Sequence, residues 1–199
     1  MGQEFYKKIY SINEFYITLY KGLRTFKYMV KNKKSKQLTP EFIERIMLAV
    51  TEVNGCEVCT YAHTKMALEQ GMSNEEIQML LSGNTENIPA EEATAIIFAQ
   101  HYADTRGNPT SDSWQRLVEV YGIMKALGIL GAVRMIMIGN VHGIALSAFR
   151  SRIKGQPIKK SNLLYEISMI LSIIIFMPVA FINGLISGML KVPTISFKE

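Results

Sequence analysis

The sequence is short of the residues on which several protein classes depend. Among 199 residues it has only two cysteines, six prolines and one tryptophan. Two cysteines are too few for the disulfide framework of a small secreted domain, and no apolar stretch ending in a small-residue cleavage site opens the chain. We therefore expect a reducing, cytosolic location. The chain is also too short for two full catalytic domains.

Positive charge is scarce outside one end of the chain. The net charge is +5, but residues 1–36 carry nine lysines and arginines against Glu4 and Glu14, and the remainder is net negative. A basic field over the whole molecule is therefore lacking, which argues against nucleic-acid binding. We predict that residues 1–36 form a basic, aromatic helical arm.

Alternating strand patterns are missing as well. Apolar residues recur at three- and four-residue spacing, and no run rich in Val, Ile and Thr lies between hairpin turns. The pattern predicts an all-α protein with a helical domain over 37–155 and a hydrophobic segment over 161–199. The predicted helices cover residues 5–20, 40–53, 56 onwards, 74–81, 90–103, 112–121 and 125–150.

Two of these helices have clear start signals. Thr39-Pro40-Glu41 supplies a hydroxyl N-cap, a proline where no amide hydrogen is needed and a carboxylate near the positive helix end. Ser73 and Glu76 have the spacing of a capping box, in which each side chain satisfies the other residue's backbone donor. The lysine-dense stretch from Lys31 to Gln37 is predicted to lie between helices.

The two cysteines stand three residues apart, and a histidine follows. If Cys56 opens a helix, Cys59 lies one turn on and His63 one further turn on, so the three side chains share a face. The positive end of a helix lowers the pKa of a thiol, and an imidazole near the second sulfur can take its proton. The spacing predicts a redox-active thiol pair.

Two other interpretations of these residues stay open at this point. Free cysteines also behave as small buried hydrophobic residues, so the pair could belong to a helical core. Cys56, Cys59 and His63 would alternatively supply three ligands of a zinc site. Structural zinc normally takes four ligands and favours a loop over one continuous helix.

The run from Glu44 to His63, with Gly71-Met72-Ser73-Asn74-Glu75-Glu76-Ile77 after it, resembles the alkylhydroperoxidase D-like branch of the carboxymuconolactone decarboxylase family. The similarity extends over about residues 37–150. It implies an alkylhydroperoxidase D-like helical bundle that forms homo-oligomers and reduces hydroperoxides with a thiol pair, without a metal or organic cofactor. Lactone decarboxylation is not expected, because the decarboxylase branch lacks the cysteine pair.

The resemblance also implies roles for individual residues. Cys59 would be the peroxidatic thiol and Cys56 the resolving thiol, while His63 and Glu44 would form a proton relay. Glu52 is a second candidate for the carboxylate of the relay. Val58 departs from the pattern, since the well-characterised alkylhydroperoxidase D proteins have histidine there.

Two further histidines have weaker signals. His142 lies in Gly139-Asn140-Val141-His142-Gly143, where relatives often carry polar residues that face the bundle. It could line the active-site cavity, although a buried structural histidine is the favoured interpretation. His101 is predicted to lie on a helix surface without a role.

The C-terminal segment lacks charge over 24 residues, from Ile167 to Leu190. A helix of this length, at about 1.5 Å per residue, covers the roughly 30 Å hydrocarbon core of a bilayer. Ala180, Gly184 and Gly188 form a small-residue stripe of the kind that lets membrane helices approach closely. The basic residues before the segment would keep the preceding domain in the cytosol; they are Lys154, Lys159 and Lys160.

A helical hairpin buried in an oligomer interface is the alternative for this segment, with Pro178 and Asn183-Gly184 as break points. The sequence as a whole predicts a thiol peroxidase or disulfide oxidoreductase with a small hydroperoxide as substrate and an external dithiol as electron donor. Its alternatives are a membrane-tethered redox sensor or interaction protein without enzymatic activity, and a zinc-binding module.

Overall fold

The computed structural model describes residues 5–85 and 88–197, and in these residues it contains seven α-helices and no strand. The all-α prediction is confirmed. The helices are α1 (Ile12–Lys34), α2 (Pro40–Asn54), α3 (Glu57–Glu69), α4 (Asn74–Leu81), α5 (Ala93–Asp104), α6 (Ser111–Ile153) and α7 (Leu163–Met189).

Helix α1 differs from the prediction at both ends. It begins after Ser11, which forms a full capping box with Glu14, so the predicted helix from Phe5 is wrong. The preceding backbone lies against the turn after α2, where the Tyr6 amide donates to the Gly55 carbonyl at 2.8 Å. At its other end α1 continues to Lys34, through part of the stretch predicted to interrupt it. The lysines of its last turn favour this, because they complement the negative end of the helix dipole.

The starts of α2 and α3 follow the sequence signals. Thr39 caps α2 by accepting a hydrogen bond from the Phe42 amide, and Pro40 is its first residue. The helix ends at Gly55, whose φ of 70° is a left-handed conformation that glycine adopts without strain. This tight turn leads directly to Cys56, the N-cap of α3.

Helices α4 and α5 depart from the prediction in two details. Ser73 caps α4, but the Glu76 carboxylate contacts the Arg45 guanidinium at 2.6 Å instead of completing the capping box. Helix α5 begins at Ala93 rather than at residue 90, after a turn that ends with Glu92. Arg45 also bonds Glu92, at 3.0 and 3.1 Å, and so ties α2 to the starts of both α4 and α5.

Helix α6 is the central element, and it packs against α1, α2, α3, α5 and α7. Its backbone breaks at Gly122, where φ is 70° and ψ is 157°, so it consists of two helices joined at the position where the sequence predicts a short gap. The basic helix α1 lies along α6 and contributes Phe15 and Leu19 to the core. A Cβ on Gly131 would lie 2.9 Å from the Thr25 carbonyl oxygen, which shows how closely the two helices approach.

Helix α7 is continuous, and neither Pro178 nor Asn183-Gly184 divides it. The predicted break points are therefore wrong. One face packs on α1 and α6, with Met169 and Ala180 fully buried. Ala180 thus belongs to the inner face of the bundle, while a Cβ on Gly188 would meet nothing within 4 Å.

Candidate functional site

The cysteine pair lies at the first turn of α3. Cys56 is the N-cap, and its sulfur accepts a hydrogen bond from the Cys59 amide at 3.4 Å. Both residues are free thiols. Cys56 is fully buried, whereas Cys59 is 8% exposed. Cys59 is therefore the one of the two that solvent reaches, and it lies in the first turn of α3.

The two sulfurs lie against a glycine of α6. A Cβ on Gly143 would lie 2.9 Å from the Cys56 sulfur and 3.0 Å from the Cys59 sulfur. Any larger residue here would displace one of the sulfurs. Sequence reasoning missed this residue, although an isolated glycine inside a helical pattern often marks a close approach of this kind.

The environment of Cys56 disfavours its thiolate. Its pKa is raised, first because its thiol hydrogen-bonds to Cys59 and second because the side chain is buried away from water. A thiol that donates to a neighbouring sulfur keeps its own proton while it stabilises negative charge on the neighbour. The pair is therefore asymmetric, with Cys56 as the protonated partner.

His63 and Glu44 form a pair on adjacent helices. The Nδ1 atom of His63 lies 2.7 Å from Oε2 of Glu44. Glu44 is 5% exposed and sits on the buried face of α2, while His63 is partly buried on α3. A carboxylate in this position orients the imidazole and fixes which ring nitrogen carries the proton. Because Nδ1 bonds Glu44, Nε2 is the ring nitrogen that is left to exchange a proton with another group.

The structure separates the two candidate glutamates. Glu52 forms an ion pair with Lys7, whose Nζ lies 2.5 Å from its carboxylate, and a Cβ on Gly83 would lie 3.7 Å from its carboxyl carbon. Of the two glutamates, Glu44 is the one that bonds His63. Arg45 bonds Glu76 and Glu92 on the neighbouring elements.

The other histidines have packing roles. His142 stacks on Phe15 with ring centroids 5.6 Å apart, and its Nε2 lies 3.4 Å from the Ile170 carbonyl oxygen. It therefore lies between α1 and α7, although its neighbour Gly143 contacts the sulfurs. One helical step turns a side chain by about 100°, which accounts for the difference. His101 accepts a hydrogen bond from the Thr110 amide at 3.2 Å and joins the end of α5 to the start of α6.

A buried polar chain lies behind the turn that carries the cysteines. Asn54 accepts a hydrogen bond from the Tyr10 hydroxyl at 2.6 Å and donates to Asn140 at 3.1 Å. Asn140 donates in turn to the Thr51 hydroxyl, also at 3.1 Å. All four side chains are buried. Satisfied buried polar groups of this kind define one arrangement of the helices, and here they hold the α2–α3 turn against α6.

The described residues offer no evident metal centre. Among residues 5–85 and 88–197, no group of three or more His, Cys, Asp or Glu side chains has an arrangement that could hold a metal ion. Cys56, Cys59 and His63, the three ligands of the zinc hypothesis, therefore do not converge as a ligand set.

Comparison with protein families gives one match. The model of the carboxymuconolactone decarboxylase family matches residues 19–100, from the middle of α1 to α5. The matched range includes all four predicted site residues, but it begins earlier and ends earlier than the resemblance in the sequence. Comparisons with curated proteins and with solved structures gave no match. The family prediction is confirmed by this match over residues 19–100.

Proposed function

We propose that the protein is a thiol peroxidase that reduces hydroperoxides with Cys59 and Cys56. The proposal rests on one arrangement. Two free thiols at the start of α3 lie against one glycine, and His63, further along α3, bonds the buried Glu44 of α2. The family contains both decarboxylases and peroxidase-like enzymes, which supports an enzyme in general.

The first step oxidises Cys59. Its thiolate attacks one oxygen of the hydroperoxide, the O–O bond breaks, and Cys59 becomes a sulfenic acid while the second oxygen leaves as an alcohol. The leaving oxygen takes a proton from His63, which had received it from the Cys59 thiol. Glu44 stabilises the imidazolium in between.

The second step joins the two cysteines in a disulfide. The Cys56 sulfur attacks the sulfenic sulfur of Cys59, a disulfide forms and water leaves. The raised pKa of Cys56 fits this order, because the residue stays protonated until the sulfenic acid has formed. An external dithiol then reduces the disulfide and is itself oxidised.

Turnover distinguishes this function from its alternative, a redox sensor without catalytic activity. We expect steady consumption of an organic hydroperoxide with a dithiol donor, lost in Cys59→Ser and Cys56→Ser and strongly reduced in His63→Ala. Arg116→Ala, at an exposed position of α6, is the control and keeps full activity. A single oxidation of the pair without turnover would favour the sensor, and no reaction of either thiol would contradict both.

The proposal places the enzyme at a membrane through α7. In the part of the chain that the structure describes, two helices are long and apolar enough to cross a bilayer, α6 and α7. In the most apolar window of α7, however, only 11% of the residues are buried inside the protein. Its exposed side chains are all uncharged and mostly large and apolar; they include Leu164, Leu171, Ile174, Ile175, Ile182, Leu185 and Met189.

Polar contacts hold the inner face of α7 to the rest of the chain. Glu166 pairs with Arg152 at 2.7 Å, Ser187 accepts from the Tyr20 hydroxyl at 2.7 Å, and Asn183 donates to the Tyr16 hydroxyl. The outer face is therefore the surface available to acyl chains. Lysines at both ends of α7, such as Lys160 and Lys191, match an anionic lipid surface.

Vesicle flotation tests this membrane contact. The full chain should float with vesicles of phosphatidylcholine and phosphatidylglycerol, and the double variant Ile174→Asp, Ile182→Asp should stay in the dense fraction. Val120→Asp, at a similarly exposed apolar position of α6, is the matched control and should float. A wild-type chain that does not float and is dimeric in solution would show that a second copy covers the face.

A further inference from the structure

A cavity of about 200 Å³ lies between α1, α5, the loop after α5 and α6, away from the cysteine pair. Polar and charged side chains line much of it: Tyr10, Glu14, Thr18, Lys21, Tyr102, Thr105, Arg106, Asn108 and Arg134. This space is large enough for a small organic or inorganic ion.

Positive charge exceeds negative charge around this cavity. Lys21, Arg106 and Arg134 are basic, whereas Glu14 is the single acidic residue among those that line it. Glu14 is already committed to Arg106, at 2.8 Å, and to the cap at Ser11. No ion pair within the described ranges involves Lys21 or Arg134, so two positive charges lack a counter-charge.

Arg134 is the more unusual of these two cations, because it is only 2% exposed. Its guanidinium donates to the Tyr102 hydroxyl at 2.8 Å and to the carbonyl oxygens of Lys21 and Thr194 at 3.2 and 3.0 Å. All three acceptors are neutral. A buried charge that is satisfied only by neutral groups is costly, and a bound anion would offset that cost.

Lys21 lies beside it with neutral acceptors only. Its ammonium donates to the Gly107 carbonyl at 2.8 Å and to the Asn108 side chain at 3.1 Å, which uses two of its three hydrogens. Burial, and after it the charge of Arg134, lower the pKa of Lys21 to about 8. The Tyr102 hydroxyl accepts from Arg134, so its own hydrogen is left as a further donor.

We propose that this cavity binds a small oxyanion, a free phosphate or a short carboxylate, between Lys21 and Arg134. The ammonium hydrogen, the guanidinium and the Tyr102 hydroxyl supply the donors, and the two cations supply the charge. A volume of about 200 Å³ suits a ligand of a few heavy atoms. None of the thiol-site residues lines the cavity, so the inference does not depend on the proposed peroxidase activity.

Isothermal titration of the full-length chain tests the site, with inorganic phosphate in one arm and malonate in the other, each against sodium chloride of equal ionic strength. We expect saturable binding of at least one anion. Lys21→Gln should weaken it by about tenfold or more, since a charge-assisted hydrogen bond is lost. Lys33→Gln removes the same charge from an exposed position of α1 and should change affinity by less than about twofold.

The titrations either identify the class of anion that binds or show that the proposed site is wrong. Binding of phosphate alone indicates a phosphate site, and binding of malonate alone indicates a carboxylate site. The proposal is wrong if neither anion binds more than chloride does up to about 10 mM, well above a millimolar dissociation constant. Equal affinity in Lys21→Gln and the wild type, or equal weakening in Lys33→Gln, would also overturn it, because either shows attraction without a defined site.

Discussion

Helices α6 and α7 are both long and apolar, but α6 is largely buried inside the protein and α7 is largely exposed. In the most apolar window of α6, 56% of the residues are buried inside the protein, against 11% for α7. Helix α6 is surrounded by five other helices and carries glycines where its neighbours approach. Helix α7 covers one side of the bundle and leaves its other side uncovered. Composition and length alone therefore do not distinguish a central core helix from one with a free apolar face.

The polar residues within each apolar helix explain why the two helices differ in burial. Arg134, Asn140 and Ser147 of α6 are all buried and all hydrogen-bonded to other elements. Along α7, the polar side chains near the inner face bond to α1 and to Arg152, and the outer face has none that is charged. Polar groups thus mark the contacts of both helices, on several sides of α6 and on one side of α7.

A carboxylate introduced into each of the two helices should change the free energy of unfolding by very different amounts. Ile144 of α6 is fully buried, whereas Ile174 of α7 is 69% exposed. Ile144→Asp buries an unpaired carboxylate and should lower the free energy of unfolding by about 3–5 kcal/mol. Ile174→Asp should change it by less than about 0.5 kcal/mol. Urea unfolding of the two variants measures both values, and similar values would contradict the assigned burial.

The next largest effect concerns the Glu44–His63 pair of the candidate site. Glu44→Gln keeps the shape of the side chain but removes the carboxylate that bonds His63, so the proposed reduction of hydroperoxides should slow by about 100-fold. Glu52→Gln is the matched change on the same helix, in an ion pair with Lys7, and should keep at least half of the rate. Steady-state kinetics with an organic hydroperoxide compares them. A larger loss in the Glu52 variant would remove Glu44 from the relay.

Two glycines of α6 should respond in opposite ways to substitution by alanine. Gly143→Ala places a methyl group about 3 Å from both sulfurs, and the overpacking should cost about 1–3 kcal/mol. It should also lower the rate of disulfide formation. A Cβ on Gly139 would meet only Ile136, at 3.8 Å, so Gly139→Ala should stabilise the protein by up to about 1 kcal/mol, as alanine does in a helix. If Gly143→Ala were also stabilising and fully active, the close contact would be wrong.

The smallest predicted effect concerns Lys21 of α1, which lies beside Arg134 of α6. The pKa of Lys21 is about 8 in the folded protein, below its ordinary value of 10.5. Between these pH values the unfolded chain binds more protons at this position, so the contribution of Lys21 to stability rises with pH. The groups facing it are Tyr10, Glu14, Tyr102, Arg106 and Arg134. The free energy of unfolding of the wild type, minus that of Lys21→Met, should increase from pH 8 to pH 10. A constant difference would contradict the lowered pKa.

Much of the fold follows from local signals in the sequence. Thr39 and Ser73 start helices where their patterns predict, and the gap expected near residue 122 is the break at Gly122. Local reasoning failed at the N-terminus, because the aromatic spacing from Phe5 favours a helix while long-range bonds to Gly55 hold the backbone extended. The capping box at Ser73 stayed incomplete because a distant residue, Arg45, takes the Glu76 carboxylate.

The candidate site divides in the same way. Helical spacing predicts a shared face for Cys56, Cys59 and His63, and the structure brings the two sulfurs together at Gly143. The family resemblance implied Glu44, which bonds His63. Spacing could not choose between Glu44 and Glu52, since the choice depends on which helix face packs against α3. Gly143 contacts cysteines that are distant in sequence, and Arg134 bonds the Lys21 carbonyl oxygen over 113 residues, so no local pattern predicts either contact.

Reaction with a single equivalent of hydroperoxide distinguishes the roles of the two cysteines. The reduced protein is mixed with one equivalent of an organic hydroperoxide, and free thiols and intact mass are followed by mass spectrometry. We predict that both thiols disappear with a loss of two hydrogens, and that Cys56→Ser instead gains one oxygen on Cys59. Two free thiols that persist in the wild type, or oxygen gained first at Cys56 in Cys59→Ser at the wild-type rate, would contradict the assignment of Cys59 as the attacking sulfur.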